Sequence, residues 1–139
     1  VLADVAKMGL VIQHTGVATT KKTIKENREL VRRYVKTQID AVHRIWTDKE
    51  GTMNAFLKHV GSSADRELLE NIRESLLNEA TLSKKQYPSL QGIRTILTSL
   101  ADIDPRARSA KPEDFVDMSF VRELDQSGYI DRLYAGQSK

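Results

Sequence analysis

One stretch near the N-terminus is apolar, rich in β-branched residues and almost free of charge. Residues 9–20 read GLVIQHTGVATT, a composition typical of a strand buried in a sheet. Gly16 lies within this stretch and can mark a bend or a close approach of another backbone. We therefore predict a strand over residues 9–20, the only credible strand region of the chain.

After this stretch the apolar positions recur with the period of an α-helix. A short turn over residues 20–26 leads into a long helix, which Asn27 can cap. At about 100° per residue the apolar positions of that helix fall on one face. Gln38 is the one polar residue on this face, whose other members are Val31, Tyr34, Val35, Val42, Ile45 and Trp46.

Two more helices are predicted from their capping signals. Residues 47–50 fit a capping box, in which the Thr47 hydroxyl and the Glu50 carboxylate each accept from a free backbone N–H. Gly61 supplies a left-handed stop for that helix, and Asp65 or Ser63 caps the next one. The side chains expected on the inner faces of the two helices are Met53, Phe56, Leu57, Val60, Leu68, Leu69, Ile72, Leu76, Leu77 and Ala80.

The C-terminal half alternates between loops and short helices. Residues 82–88 are predicted to form a loop, and Ser89 caps a helix that Asp104 and Pro105 terminate. The polar stretch 104–112 contains two prolines and is predicted to be a connecting arm. The inner side chains of the helix after Ser89 are Leu90, Ile93, Ile96, Leu97 and Leu100.

A last short helix is predicted to start near Asp117 or Ser119 and to stop at Gly128. The tail that follows can pack down through Tyr129, Ile130, Leu133 and Tyr134. Core packing is also the expected role of the aromatic residues at helical spacing, which are Tyr34, Trp46, Phe56, Phe115 and Phe120.

Composition places the chain among single-domain globular proteins. It has 139 residues, of which 40% are hydrophobic and 29% charged, values near the globular average. Cysteine is absent, which excludes disulfides, thiolate metal ligands and a cysteine nucleophile. No apolar run approaches the roughly 20 residues that a membrane-spanning helix needs.

The net charge of +3 is distributed unevenly. Residues 21–49 contain nine basic and four acidic residues, so a basic stripe runs along the predicted long helix. Such a stripe can bind phosphate, but acidic Glu29 lies beside it and no aromatic platform interrupts it. A solvated helix face is the better interpretation, and no nucleic-acid partner is predicted. The members of the stripe are Lys25, Arg28, Arg32 and Lys36.

Candidate chemistry is sparse. The three histidines are His14, His43 and His59, and none forms the i, i+4 pair of a helical zinc site. His43 is placed on the polar side of its helix. The acidic pairs 113–114 and 102/104 fall in loops or at a helix N-terminus, where capping is their ordinary role. The sequence therefore predicts no catalytic residue, no metal site and no cofactor, and the chain is not expected to be an enzyme.

One polar group stands out within the predicted strand. Gln13, His14, Thr15 and Gly16 follow apolar residues and precede another β-branched run. Polar groups at a strand bend can line a cleft, or they can only satisfy the local backbone. Both interpretations remain open from the residues alone.

The order of the segments resembles a known family. The stretches that carry the resemblance are GVATTKKTIKENRELVRRYVKTQIDAVHRIWTDKE, the Asp-Pro-Arg-Ala-Arg run at 104–108, and KPEDFVDMSFVRELDQSGYIDRLY at 111–134. Together they are similar to the C-terminal part of the extracytoplasmic solute-binding proteins of ABC importers for nitrate, sulfonates, taurine and thiamine-type pyrimidines. Arg28 stands where that family usually has proline, which costs a little preorganisation of the helix.

The resemblance implies a fold and a function. The fold class expected is mainly α with one or two short β-strands, a fragment of the two-lobe α/β periplasmic-binding-protein-like fold. Residues 1–139 then form a single domain, with a crossover strand at 9–20 and a helical cover at 21–134. The implied function is capture of a small molecule outside the cytoplasm and delivery to an ABC permease. Of the family's ligand-binding positions, His14, Thr15 and Gly16 are the residues that would lie near the cleft floor.

Other functions follow if the resemblance is misleading. The principal alternative is a helical ligand-sensing or dimerisation module of a regulator. An enzyme of the thiamine-pyrimidine branch would need catalytic groups that the sequence does not offer.

The resemblance also implies that the strand near residues 9–19 lacks its sheet neighbours. Because an unpaired strand recruits another chain, a homodimer through residues 9–19 or through exposed helix faces is also expected.

Overall fold

The computed structural model describes residues 9–13, 15–61 and 65–136. Most of these residues are helical, as the helical period of the apolar positions predicts. The α-helices are α1 (Lys21–Glu26), α2 (Arg28–Thr47), α3 (Lys49–Val60), α4 (Arg66–Leu76), α5 (Leu90–Leu100), α6 (Ser119–Gln126) and α7 (Tyr129–Ala135), and two 3-10 helices cover Pro105–Arg108 and Pro112–Phe115.

The predicted strand does not form within the described residues. Residues 9–13 and 15–20 are irregular, neither strand nor helix, and four apolar side chains there stay 42–52% exposed: Leu10, Val11, Ile12 and Val17. A strand exists only when a neighbour accepts and donates its backbone hydrogen bonds, and the described part of the chain provides no such neighbour. The mainly α prediction is confirmed, whereas the strand prediction is wrong for this structure.

Most of the predicted helix boundaries agree with the structure, but three caps do not. Asn27 precedes α2 without a side-chain hydrogen bond to the first turn, and Gly61 follows α3 at φ 115° and ψ 147°, outside the left-handed helical region. The Asp48 carboxylate, rather than the Thr47 hydroxyl, caps α3 by accepting from the Gly51 N–H at 2.8 Å. Thr47 instead donates to the His43 carbonyl in the preceding turn, and Glu50 binds Arg66. The capping box at 47–50 is therefore wrong, because the carboxylate one residue later satisfies the first turn of α3.

Three other predicted caps are observed. Ser89 Oγ accepts from the Gly92 N–H at 2.9 Å at the start of α5, and Asp65 caps α4. The alternative cap for α4, Ser63, lies outside the described residues. Gly128, with φ at +70°, separates α6 from α7, and its left-handed conformation is one that glycine adopts at little cost.

The core lies where α2 packs against α6 and α7. Ile39 of α2 is completely buried there, in a cluster with Val121, Leu124 and Ile130, on which Val35, Tyr129, Leu133 and Tyr134 pack. The apolar face predicted for α2 omits Ile39 and includes Tyr34, which is 51% exposed. The buried face is thus rotated toward Val35, Ile39 and Val42, since α6 and α7 approach α2 from that side.

The remaining helices pack in two groups. Helix α3 contacts both α2 and α4, and α5 packs against both 3-10 helices. Among the aromatic residues expected in the core, Phe120 is 2% exposed, whereas Phe115 is 61% exposed. Leu68 and Ile72, expected inside α4, are also exposed, while Leu69 and Arg73 of the same helix are buried.

Among the described residues, no helix combines the length and the apolar character that crossing a bilayer requires.

We expect Ile39→Ala to lower the free energy of unfolding by about 2–5 kcal/mol, because it leaves a cavity between α2, α6 and α7. The matched control is Ile103→Ala, at a side chain that is 83% exposed, where a change within about 0.5 kcal/mol is expected. Urea unfolding followed by circular dichroism measures both. Equal losses for the two variants would contradict this location of the core.

Candidate functional site

The predicted ligand-binding residues are His14, Thr15 and Gly16, and the segment that contains Thr15 and Gly16 is linked to the first turn of α5. His14 is outside the described residues, while Thr15 and Gly16 are described and exposed. The side-chain amide of Gln13 connects this segment to α5. Its Oε1 accepts from the Ser89 N–H at 2.6 Å, and its Nε2 donates to the Thr15 carbonyl at 2.5 Å.

A glycine in α5 allows the segment to approach this closely. Gly92 is buried, and a Cβ built on it would lie 2.4 Å from the Gln13 nitrogen and 2.8 Å from the Ile12 carbonyl carbon. Any larger residue would therefore displace the backbone at residues 12–13. A glycine inside a helix lowers the stability of the helix by roughly 0.5–1 kcal/mol relative to alanine. At position 92 the glycine permits a close backbone contact that a larger residue would prevent.

The sequence identified only part of this arrangement. Gln13, Thr15 and Gly16 were singled out as polar or flexible residues, and Ser89 as a cap. The sequence does not predict the contact of Gly92 with residues 12–13, and its only signal is a glycine inside a helical pattern, which is less favourable there than alanine. The arrangement offers the exposed hydroxyl of Thr15, which suits hydrogen bonding to a small polar molecule.

A concave region lies between the loop after α4 and helix α7. It has a volume of about 410 Å³ and is lined by Glu79, Ser83, Lys84, Lys85, Tyr87, Ile130, Asp131 and Tyr134. Its charged groups already have partners. Lys85 lies 2.8 Å from Asp125 and 3.8 Å from Asp131, and Lys84 lies 3.8 Å from Glu79. These pairs leave little unbalanced charge with which to select an ion.

Two aromatic rings hold Lys84 at the edge of this hollow. Its ammonium group lies 4.6 Å from the centroid of Trp46 and 5.2 Å from that of Tyr134, within the range of cation–π attraction. The Trp46 indole N–H also donates to the Leu82 carbonyl at 3.1 Å. The aromatic groups therefore fasten the 82–88 loop to α2 and α7, which is a structural role.

Tyr134 has an unusual environment. Burial, together with the nearby charge of Glu79, raises the pKa of Tyr134 to about 12. Its hydroxyl is buried and has no hydrogen-bond partner among the described residues. The ring of His43 packs edge-on against Tyr134 with a centroid distance of 4.9 Å. His43, expected on the polar side of α2, thus faces α7.

The basic stripe of α2 takes part in helix packing. Arg28 stacks 4.5 Å above the ring of Phe120 in α6, and Lys36 lies 4.4 Å from the ring of Tyr129. Arg32 forms a pair with Glu29 at 2.8 Å, which lowers the pKa of Glu29 through hydrogen bonding. Arg28, Arg32 and Lys36 therefore join α2 to its neighbours or to carboxylates on α2 itself, a structural use of these cations.

Asp104, one of the acidic residues expected to act as a cap, does so. Asp104 accepts from the Arg106 N–H at 3.0 Å at the start of the first 3-10 helix, as its position predicts. The Arg106 side chain also donates to this carboxylate and lowers the pKa of Asp104. Over the described ranges, no three histidine, aspartate or glutamate side chains gather in a way that could hold a metal ion.

Comparison with known proteins found no matching family model, no matching curated protein and no matching solved structure.

The raised pKa of Tyr134 predicts that the stability of the folded state decreases at alkaline pH. An unfolded tyrosine loses its proton near pH 10, whereas folded Tyr134 keeps it to about pH 12. The folded state binds more protons in this window, so stability contributed by Tyr134 is fully present below pH 10 and is lost as pH rises toward 12. The phenolate absorbance of the protein minus that of Tyr134→Phe should titrate near pH 12.

The same variant tests the unpartnered hydroxyl. Removing a buried hydroxyl that makes no hydrogen bond leaves no acceptor or donor unsatisfied, so Tyr134→Phe should be at least as stable as the parent at pH 7. Tyr34→Phe, at an exposed ring, serves as the control and should leave the alkaline titration of Tyr134 intact. A Tyr134→Phe variant that is clearly less stable would show that the hydroxyl is bonded.

Proposed function

We propose that this chain is the C-terminal portion of a solute-binding protein of an ABC importer. The observation that carries the proposal is the state of residues 9–13 and 15–20. They form an uncharged, apolar segment that has no strand partner among the described residues and that leaves Leu10, Val11, Ile12 and Val17 half-exposed. Such a segment suits a protein in which a sheet formed by other residues completes it.

The helical part supports the same proposal. Helices α1 to α7 and the two 3-10 helices follow the segment without interruption by a strand in the described ranges 15–61 and 65–136. In a two-lobe α/β protein, helices of this kind cover the faces of a parallel sheet, and the sheet brings its connecting turns to the ligand cleft. Residues 21–134 would then be the helical cover of one lobe. Residues 9–13 and 15–20, which form no strand in this structure, would become its crossover strand only when paired with a sheet formed by other residues.

The ligand would be a small molecule such as a sulfonate, nitrate, taurine, a pyrimidine or an aromatic acid. Closure of two lobes on a solute shifts the population toward the bound form because the solute contacts both walls of the cleft. In this proposal Thr15 and Gly16, with the neighbouring His14, contribute to one wall. The complex then delivers the solute to an ABC permease at the membrane, outside the cytoplasm.

The test uses the protein encoded by the complete gene, screened by thermal shift against taurine, methanesulfonate, nitrate, a thiamine-type pyrimidine and benzoate. A solute present at 100 times its Kd should stabilise the folded state by about 2.7 kcal/mol and raise Tm. Thr15→Val should reduce this shift. The matched control is Thr98→Val, since that hydroxyl binds only the Arg94 carbonyl of its own helix.

Two results would count against the proposal. A Tm that none of these solutes moves would remove the importer function for the whole panel. A helix-turn-helix domain encoded beside this chain, together with a stable dimer in light scattering, would favour the alternative of a ligand-sensing or dimerisation module of a regulator.

A further inference from the structure

We propose that Gln13 and Gly92 form a clamp that fixes the Thr15–Gly16 turn against α5 before any ligand arrives. The inference rests on the proposed function in one respect only, namely that this turn contacts solute. The clamp itself follows from contacts of Ile12 and Gln13 with the first turn of α5 and of Gln13 with Thr15, and it assigns positioning roles to two residues that do not themselves touch ligand.

Gln13 supplies the hydrogen-bonding part of the clamp. Its Oε1 accepts from the Ser89 N–H at 2.6 Å, and its Nε2 donates to the Thr15 carbonyl at 2.5 Å. One planar amide group therefore connects the start of α5 with the backbone of the turn. Because the two bonds share this rigid group, the Thr15 carbonyl cannot move relative to Ser89 without breaking one of them.

Gly92 supplies the steric part. The backbone of residues 12–13 lies so close to α5 that a Cβ on Gly92 would be 2.4 Å from the Gln13 nitrogen. The obstructing atoms belong to backbone rather than to a flexible side chain, so they can make room only if the whole segment moves. Gly92 also donates its N–H to Ser89 Oγ at 2.9 Å, which places the cap and the contact in the same turn.

The clamp has a consequence for affinity. A turn that is already held in one conformation loses less conformational freedom when a ligand binds, and preorganisation of this kind increases affinity without adding a contact to the ligand. Loss of the clamp should therefore weaken binding while it leaves the α2, α6 and α7 core unchanged.

The first experiment measures the clamp without ligand, by NMR on the 139-residue chain. In Gln13→Ala and in Gly92→Ala the Ser89 amide proton should exchange about tenfold faster, the factor expected for loss of a hydrogen bond or two. Backbone order parameters of Thr15 and Gly16 should fall in both variants. Gln91→Ala and Gly136→Ala are the matched controls, since Gln91 is exposed and a Cβ on Gly136 meets nothing within 4 Å.

Unchanged Ser89 exchange in both Gln13→Ala and Gly92→Ala would overturn the clamp, provided that amide exchange in α2 shows both variants to be folded. If either variant unfolds, Gln13→Glu replaces it. This side chain can still accept from Ser89 but cannot donate to Thr15, so it should keep Ser89 protected and loosen only the turn. A Gln13→Glu turn as ordered as that of the parent would also overturn the clamp.

The second experiment measures calorimetric affinity for taurine and nitrate in the protein encoded by the complete gene. Gly92→Ala should weaken Kd about tenfold while amide exchange in α2 stays at the parent's rate, a split that a general loss of folding would not give. A lost clamp with unchanged Kd would overturn the positioning role. If the parent binds neither solute, the proposed function fails for those solutes, and the NMR result still decides whether the clamp exists.

Discussion

The burial of Ile39 between α2, α6 and α7 is the contact on which the described structure depends most. Ile39 is completely buried and Ile130 is 1% exposed, so α2 and α7 share one apolar centre. Close packing at such a centre fixes the relative positions of the helices that form it. Because α2 also contacts α3, and α3 contacts α4, this apolar centre is connected to those two helices through α2.

Contacts between charged and aromatic groups around this centre also join α2 to α6 and α7. The charged end of Arg28 lies over the ring of Phe120, and that of Lys36 over the ring of Tyr129, within the range of cation–π attraction. Arg28 and Lys36 of the basic stripe thus contact α6 and α7, while Arg32 pairs with Glu29 on α2 itself. A basic helix face can serve packing, and its charge alone does not identify a nucleic-acid partner.

The segment at residues 9–20 shows the opposite situation. Its composition favours a strand, yet the described chain has no edge against which it can pair, and it contacts α5 through Gln13 and Gly92 instead. The segment is joined to α5 by one hydrogen bond of the Gln13 side chain and one close backbone contact at Gly92, and these replace a ladder of strand hydrogen bonds. The apolar side chains of the segment remain half-exposed for the same reason, and this exposure connects the fold with the proposed role in a larger α/β protein.

The sequence by itself determined the helical period, the cap at Ser89 and the break at Gly128, and it narrowed the cap of α4 to Asp65 or Ser63, because these depend on interactions within a few residues. It placed Thr15 and Gly16 in an unusual polar group but gave no sign that Gln13 reaches Ser89, 76 positions away. Only the tertiary structure decided which side of α2 is buried around Ile39 and whether residues 9–20 pair as a strand. Both depend on partners distant in the chain, and local propensity carries no information about where those partners lie.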